Sequence, residues 1–303
     1  MDAVVDWLME GDPAIRWQVR RDLLGQPEAE YLPDRRRVAE EGWGKRFIEA
    51  LGPGGEWPNE RWSGPTWTLC TLIDLGFPAD QPDVAAAAHR FMESHLTAER
   101  AFDRKWLAKE MDLCHLGFWL RIGSYFGFDQ DRLKAVVDYL LSVQFPDGGW
   151  NCQMRTKPKT SHSSFHTTFN VLEGLREAER AGVLDSQRFR ASEARAAEFM
   201  AMHRMYRSDK TGQVIAERFT HLHFPSYWHY TVIRGLDYLS GTPAIRDSRL
   251  DDPVALVESK RKASGRWPVE GRIPGVALFD MEKPGSESRW NTLRARRILK
   301  ARS

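Results

Sequence analysis

Apolar side chains recur at three- and four-residue spacing along most of this chain, the signature of helices that bury one face. The spacing predicts helices over 2–9, 13–24, 35–51, 66–75, 84–96 and 113–126. It predicts further helices over 132–143, 165–181, 188–205, 227–239, 253–263 and 289–301. Their starts carry matching chemistry: Pro13 follows Asp12, Pro65 follows Ser63, and Pro253 follows Asp251 and Asp252. Gly52-Pro53-Gly54-Gly55, Gly76-Phe77-Pro78 and Pro146-Asp147-Gly148-Gly149 punctuate the ends. Strand-like alternation is scarce, so the expected fold class is all-α.

A second pattern lies over the first. Gly55-Glu56-Trp57, Gly149-Trp150 and Gly265-Arg266-Trp267 each follow a helix and precede a short loop. New helices then open with an aromatic residue and threonine: Pro65-Thr66-Trp67-Thr68, Phe165-His166-Thr167-Thr168 and Arg289-Trp290-Asn291-Thr292. Such periodicity points to one helix hairpin per unit, with the Trp plugging the gap between hairpins. The middle copy, Gln144-Phe145-Pro146-Asp147-Gly148-Gly149-Trp150, resembles the Gln…Gly-x-Trp repeat of squalene and oxidosqualene cyclases. More loosely, the repeats are similar to those of protein prenyltransferase β-subunits. That resemblance implies an α/α toroid with inner helices around a central cavity. It would form one domain over 1–303, with 1–30 as a helical extension and the repeat ring from about 35 to 303.

Composition narrows the class without naming a reaction. Forty-four Lys and Arg against 42 Asp and Glu give a formal charge of +2, which makes no demand for nucleic acid. Three cysteines, Cys70, Cys114 and Cys152, are too few for a disulfide framework, so a reducing, cytoplasmic setting is expected. No apolar run is long enough to span a bilayer, and the acidic start does not read as a signal peptide. There is no Walker loop, dinucleotide Gly-x-Gly-x-x-Gly, His-Glu-x-x-His or Gly-x-Ser-x-Gly motif, which argues against nucleotide cofactors, zincin proteases and serine hydrolases. The oligomeric state is not legible.

In such a toroid the starts of the inner helices converge on one mouth, where six of the nine histidines would gather. Lys109-Glu110-Met111-Asp112-Leu113-Cys114, followed later by His166-Thr167, resembles the zinc site of the prenyltransferase β-subunits. The resemblance implies Asp112, Cys114 and His166 as metal ligands and Lys109 as a substrate contact; Cys152 or His162 could replace one of the ligands. His115 stands where that family carries a phenol. Mixed O, S and N ligation by three residues suits zinc and leaves a fourth position open. His115 and His229 would then be first candidates for proton transfer, with Tyr230 as donor. Trp62, Trp67, His162, Tyr227 and Trp290 would line the site for a small, largely apolar, isoprenoid-like molecule.

Other readings stay open. Cys114 with His166 could be a metal-free nucleophile and base, or the histidines and tyrosines a metal-free lyase or hydrolase site. The ring could also bind a ligand without chemistry. Asp112 could be only a helix cap, Cys114 a small buried residue and His166 a satisfied core histidine. The protonating Asp-x-Asp-Asp and the magnesium-binding Asp-Asp-x-x-Asp are both absent, which argues against ordinary terpene cyclases. Arg155-Thr156-Lys157-Pro158-Lys159 reads either as a basic lure for anions or as a solvated turn. The C-terminal helix is expected to pack Trp290, Leu293 and Ile298 inward and to solvate its basic face.

Overall fold

The computed structural model describes residues 2–157 and 159–303. About 60% of the chain is helical. The first helices are α1 (Ala3–Met9), α2 (Pro13–Gln18, continued by a π turn over Val19–Leu23), α3 (Glu28–Arg37), α4 (Gly42–Glu49) and α5 (Pro65–Leu75). Then come α6 (Pro82–His95), α7 (Ala98–Phe102), α8 (Arg104–Glu110), α9 (Leu113–Tyr125) and α10 (Gln130–Ser142). The chain ends with α11 (Phe165–Arg180), α12 (Ser186–Met202), α13 (Val232–Leu239), α14 (Asp251–Ser259) and α15 (Arg289–Arg302). Two antiparallel strands of two residues each, β1 (Trp267–Pro268) and β2 (Glu287–Ser288), are the paired strands among the described residues. The fold class is all-α. None of the described helices is long and apolar enough to cross a membrane.

Local chemistry sets the helix starts. The carboxylates of Asp2, Asp12, Asp129 and Asp185 accept first-turn N–H bonds of α1, α2, α10 and α12. Each such cap contributes about 1 kcal/mol.

Two expected helices have different bounds. The helix expected over 35–51 is broken, because Asp12 reaches two helix starts at once. Its Oδ1 accepts from Ala14 N–H at 2.9 Å and its Oδ2 from Trp43 N–H at 2.7 Å. Gly42, at φ +66°, makes the bend this needs, and a Cβ there would collide with the same carboxylate. The helix expected from 227 begins only at Val232. Side chains satisfy the backbone of the preceding segment instead: His166 Nδ1 accepts Tyr230 N–H, Asn170 Nδ2 donates to Trp228 O, and Arg234 Nη1 donates to Tyr227 O and His229 O. A backbone already hydrogen-bonded gains little from coiling.

Packing runs from helix to helix. α5 lies on α9, α9 on α11, α13 on α15, and α15 on α2 and its π turn. Arg176 Nη1 of α11 donates to the Tyr238 carbonyl of α13 at 3.1 Å. Trp17 Nε1 of α2 donates to the Leu75 carbonyl of α5 at 2.8 Å. A second set covers these: α6 packs on α5 and α9, α10 on α9 and α11, and α14 on α13 and α15.

The three Gly-x-Trp indoles all make the same bond, to a carbonyl ten residues upstream. Trp57 reaches Phe47 at 2.8 Å, Trp150 reaches Leu140 at 2.8 Å and Trp267 reaches Val257 at 2.7 Å. Backbone N–H groups of Trp150 and Trp267 also donate to the Thr168 and Thr292 hydroxyls, both at 2.9 Å. These two tryptophans therefore fasten the end of one helix to the start of a later one.

Closest approach falls between α9 and α11. A Cβ on Gly117 would lie 2.6 Å from the Asn170 carbonyl oxygen, and one on Gly174 would strike the Gly117 backbone. We expect Gly117→Ala to lose about 2–3 kcal/mol of stability through overpacking, read as a lower urea midpoint. Gly54→Ala, where a Cβ meets nothing within 4 Å, should leave the midpoint within about 0.5 kcal/mol.

Candidate functional site

The side chains chosen from the sequence divide into three places. At the start of α9, Asp112 holds the N-cap position and Cys114 sits in the first turn. The Cys114 N–H donates to Cys152 Sγ at 3.3 Å, and the Thr167 hydroxyl donates to the same sulfur at 3.3 Å. The Cys114 thiol bonds to Cys152 as well, which pulls the Cys152 thiol down to about 7 and pushes Cys114 strongly up. An unpaired first-turn N–H of a helix needs an acceptor, and here sulfur supplies it. Lys109 lies in the last turn of α8, and the His115 ring is 6.4 Å from Phe118. His162 is exposed. Of the basic loop nearby, Pro158 and the Arg155 side chain lie outside the described residues.

The second place is an aromatic and imidazole cluster between the starts of α5 and α11 and the segment before α13. Trp62 stacks on Tyr227 with ring centroids 4.5 Å apart and meets Trp67 and His229 edge-on. Trp228 stacks on His229 at 4.0 Å, and His166 lies 4.8 Å from Trp228 and 6.0 Å from His229. Residues 271–280 close over Trp62, whose Nε1 and backbone N–H donate to Pro274 O and Val276 O, both at 2.9 Å. Tyr230 is buried, and its hydroxyl donates to the Met205 carbonyl at 2.8 Å.

Burial sets the electrostatics of this cluster. It pushes His166 down to about 3, helped by the nearby Arg218, and His229 down to about 4 against a contact with the Ser226 carbonyl. Tyr227 is pushed up to about 12 by the same desolvation. Both imidazoles are therefore neutral at neutral pH. His166 Nε2 and His229 Nδ1 are buried without a hydrogen-bond partner among the described residues.

The zinc expectation does not find its geometry here. Among the described residues no group of three or more His, Cys, Asp or Glu is placed to hold a metal ion. Cys114 is turned to Cys152, and His166 Nδ1 is taken by Tyr230 N–H at 2.8 Å.

The third place is a cavity bounded by the later turns of α5, α9 and α11, by α13 and by α15, where Trp290 of the first α15 turn lies beside buried charges. Arg121 of α9 pairs with Asp74 of α5 at 2.6 Å and Glu173 of α11 at 3.1 Å. Arg234 of α13 pairs with Glu173 at 2.6 Å. Arg294 and Arg297 of α15 lie 3.3 and 2.9 Å from Asp237. α15 thus turns two arginines inward rather than solvating its whole basic face. The signal was present: Asp74 and Arg121 are each a lone charge in their helix, and Arg234 shares α13 with Asp237 alone.

Comparison with family models, with curated proteins and with solved structures finds no match to this chain.

The buried imidazoles make stability depend on pH. With the native pKa of His166 near 3 and the ordinary value at 6.5, the unfolded chain binds the extra proton between those limits. Stability should therefore be complete above about pH 6.5 and fall as pH drops toward 3, by up to about 1.4 kcal/mol per pH unit from His166. Urea midpoints from pH 7 to 4 should show a shallower decline in His166→Gln. An unchanged decline would place the acid sensitivity elsewhere.

Proposed function

We propose that this chain is an α/α toroid that acts, without metal, on a small and largely apolar molecule bearing one oxygen. For the ring, the support is the order of packing. Contacts run α5–α9, α9–α11, α13–α15 and α15–α2, hydrogen bonds link α11 to α13, and Trp17 returns the path from α2 to α5. The repeated indole bond is what a ring of related hairpins would produce.

For the site, the observation that carries the reading is the unpartnered His166 Nε2 beside the unpartnered His229 Nδ1. A buried polar atom left without a partner costs about 1–3 kcal/mol, which a ligand atom at that place would recover. Because His166 Nδ1 accepts from Tyr230, a neutral ring carries its proton on Nε2. A neutral imidazole N–H in a dry setting donates to a ligand oxygen and polarises it. Trp62, Trp67, Tyr227 and Trp228 offer the apolar walls, and residues 271–280 would exclude water above them. His229 is the neighbour placed to share a proton. No step in this reading runs through zinc.

Tryptophan emission tests this directly, because Trp228 touches both imidazoles. Titration with geraniol, an isoprenoid alcohol, should quench it saturably. His166→Phe, checked for folding by circular dichroism, should bind at least about tenfold more weakly, the scale of one lost hydrogen bond in a dry site. His162→Phe should match wild type. Equal quenching in His166→Phe would remove the site from His166, and near-stoichiometric zinc lost in Cys114→Ala would replace this reading by a zinc-assisted one.

A further inference from the structure

We infer that the far ends of the same helices form a second site, which binds a small organic dianion. A cavity of about 550 Å³ lies between the C-terminal halves of α5, α9, α11 and α13, with α2, α3 and α15 completing its wall. Its volume falls in the range of roughly 300–1,000 Å³ usual for small-molecule sites. Among the side chains chosen from sequence, only Trp290 lines it.

The charge of the wall does not balance. Eight arginines face five carboxylates. Asp74 and Glu173 are matched by Arg121 and Arg234, and Glu177 by Arg180. Arg176 has its own partner in Glu193, outside the lining. Asp22 and Asp237, however, serve three guanidiniums: Arg21, Arg294 and Arg297. Arg35 forms no ion pair among the described residues and bonds only to the Gly76 carbonyl at 3.1 Å and the Tyr125 hydroxyl at 3.2 Å. Two positive charges remain without an acid.

Converging helix C-termini would oppose an anion through their exposed carbonyls. Here several of those carbonyls are already engaged: Leu75 O by Trp17, Gly76 O by Arg35, Phe77 O by Tyr125 and Tyr238 O by Arg176. The surplus positive charge is not consumed by them.

Two unpartnered groups point to the same chemistry. Among the described residues neither Arg294 Nη1 nor Trp290 Nε1, both buried, has a hydrogen-bond partner, and both residues line the cavity. The Arg294 side chain is only 6% exposed. Guanidinium and indole N–H groups donate and never accept. The missing partner must therefore be rich in acceptors, and a carboxylate or phosphate supplies the strongest ones. A bare oxyanion would leave most of the volume empty. Trp17, Trp290 and Tyr238 add aromatic surface to the lining for a carbon skeleton.

Isothermal titration calorimetry on the full chain at low salt tests the inference, with phenyl phosphate and phthalate as phosphate and dicarboxylate probes. Benzyl alcohol is the neutral control. One or both dianions should bind one to one, and more weakly at high salt. Arg35→Gln, at the edge of the chamber, should weaken binding about tenfold or more. Arg294→Gln should do so at least as strongly, provided circular dichroism shows it folded. No binding by either dianion, equal binding of benzyl alcohol, or unchanged affinity in Arg35→Gln would overturn the proposal.

Discussion

Buried arginine charge is the constraint on which the helix arrangement turns. Arg121, Arg234 and Arg294 are each at most 8% exposed. A buried guanidinium costs several kcal/mol unless its donors find acceptors of good geometry. Arg121 meets that need only where Asp74 of α5 and Glu173 of α11 flank it together, and Glu173 in turn also takes Arg234 of α13. Apolar contact is not directional and tolerates sliding, whereas these bonds tie four helices to one register. Gly117 and Gly174 serve the same end by letting the α9 and α11 backbones approach closely enough for the pairs to close.

The two ends of these helices consequently differ in character. Their starts gather aromatic rings, neutral imidazoles and a pair of cysteines, and residues 271–280 close over Trp62. Their far halves gather guanidiniums and carboxylates around open space. Burial acts on both, with opposite results. It strips the proton from His166 and His229, which can discharge themselves, while arginine cannot and must recruit acids instead. The unpaired atoms reflect this difference. At the starts they include ring nitrogens suited to one neutral oxygen, and around the cavity they include Arg294 Nη1 and Trp290 Nε1, donors suited to an anion.

Much of the secondary structure was legible because it rests on local rules. Helical spacing places α1, α5, α9, α10, α11 and α15 to within about two residues, the usual uncertainty of helix ends. The short α7 and α8 escaped notice because such short segments carry too few apolar positions to register a period. Asp12 broke an expected helix by reaching Trp43, a partner 31 residues away that no local rule reveals. Tyr227 to Thr231 looked helical by spacing, yet side chains from α11 and α13 took over its backbone bonds. At the candidate site, spacing brought His166 and His229 into one list and also suggested a metal set. The Cys114 N–H found Cys152 Sγ, because an orphan helix N–H donates to whichever acceptor folding brings beside it.

By itself the sequence determined the helical class, most helix starts and the glycine–tryptophan punctuation, since each depends on residues within a turn or two of one another. The bonds of those tryptophans follow the same logic, reaching carbonyls a fixed ten residues upstream. Only the tertiary structure decided which charges lie inside and which nitrogens lack partners. A lone arginine in an apolar run announces that it needs an acid without saying where that acid will come from. Partner choice depends on the closing of distant helices, and a protonation state depends on the water that closure removes.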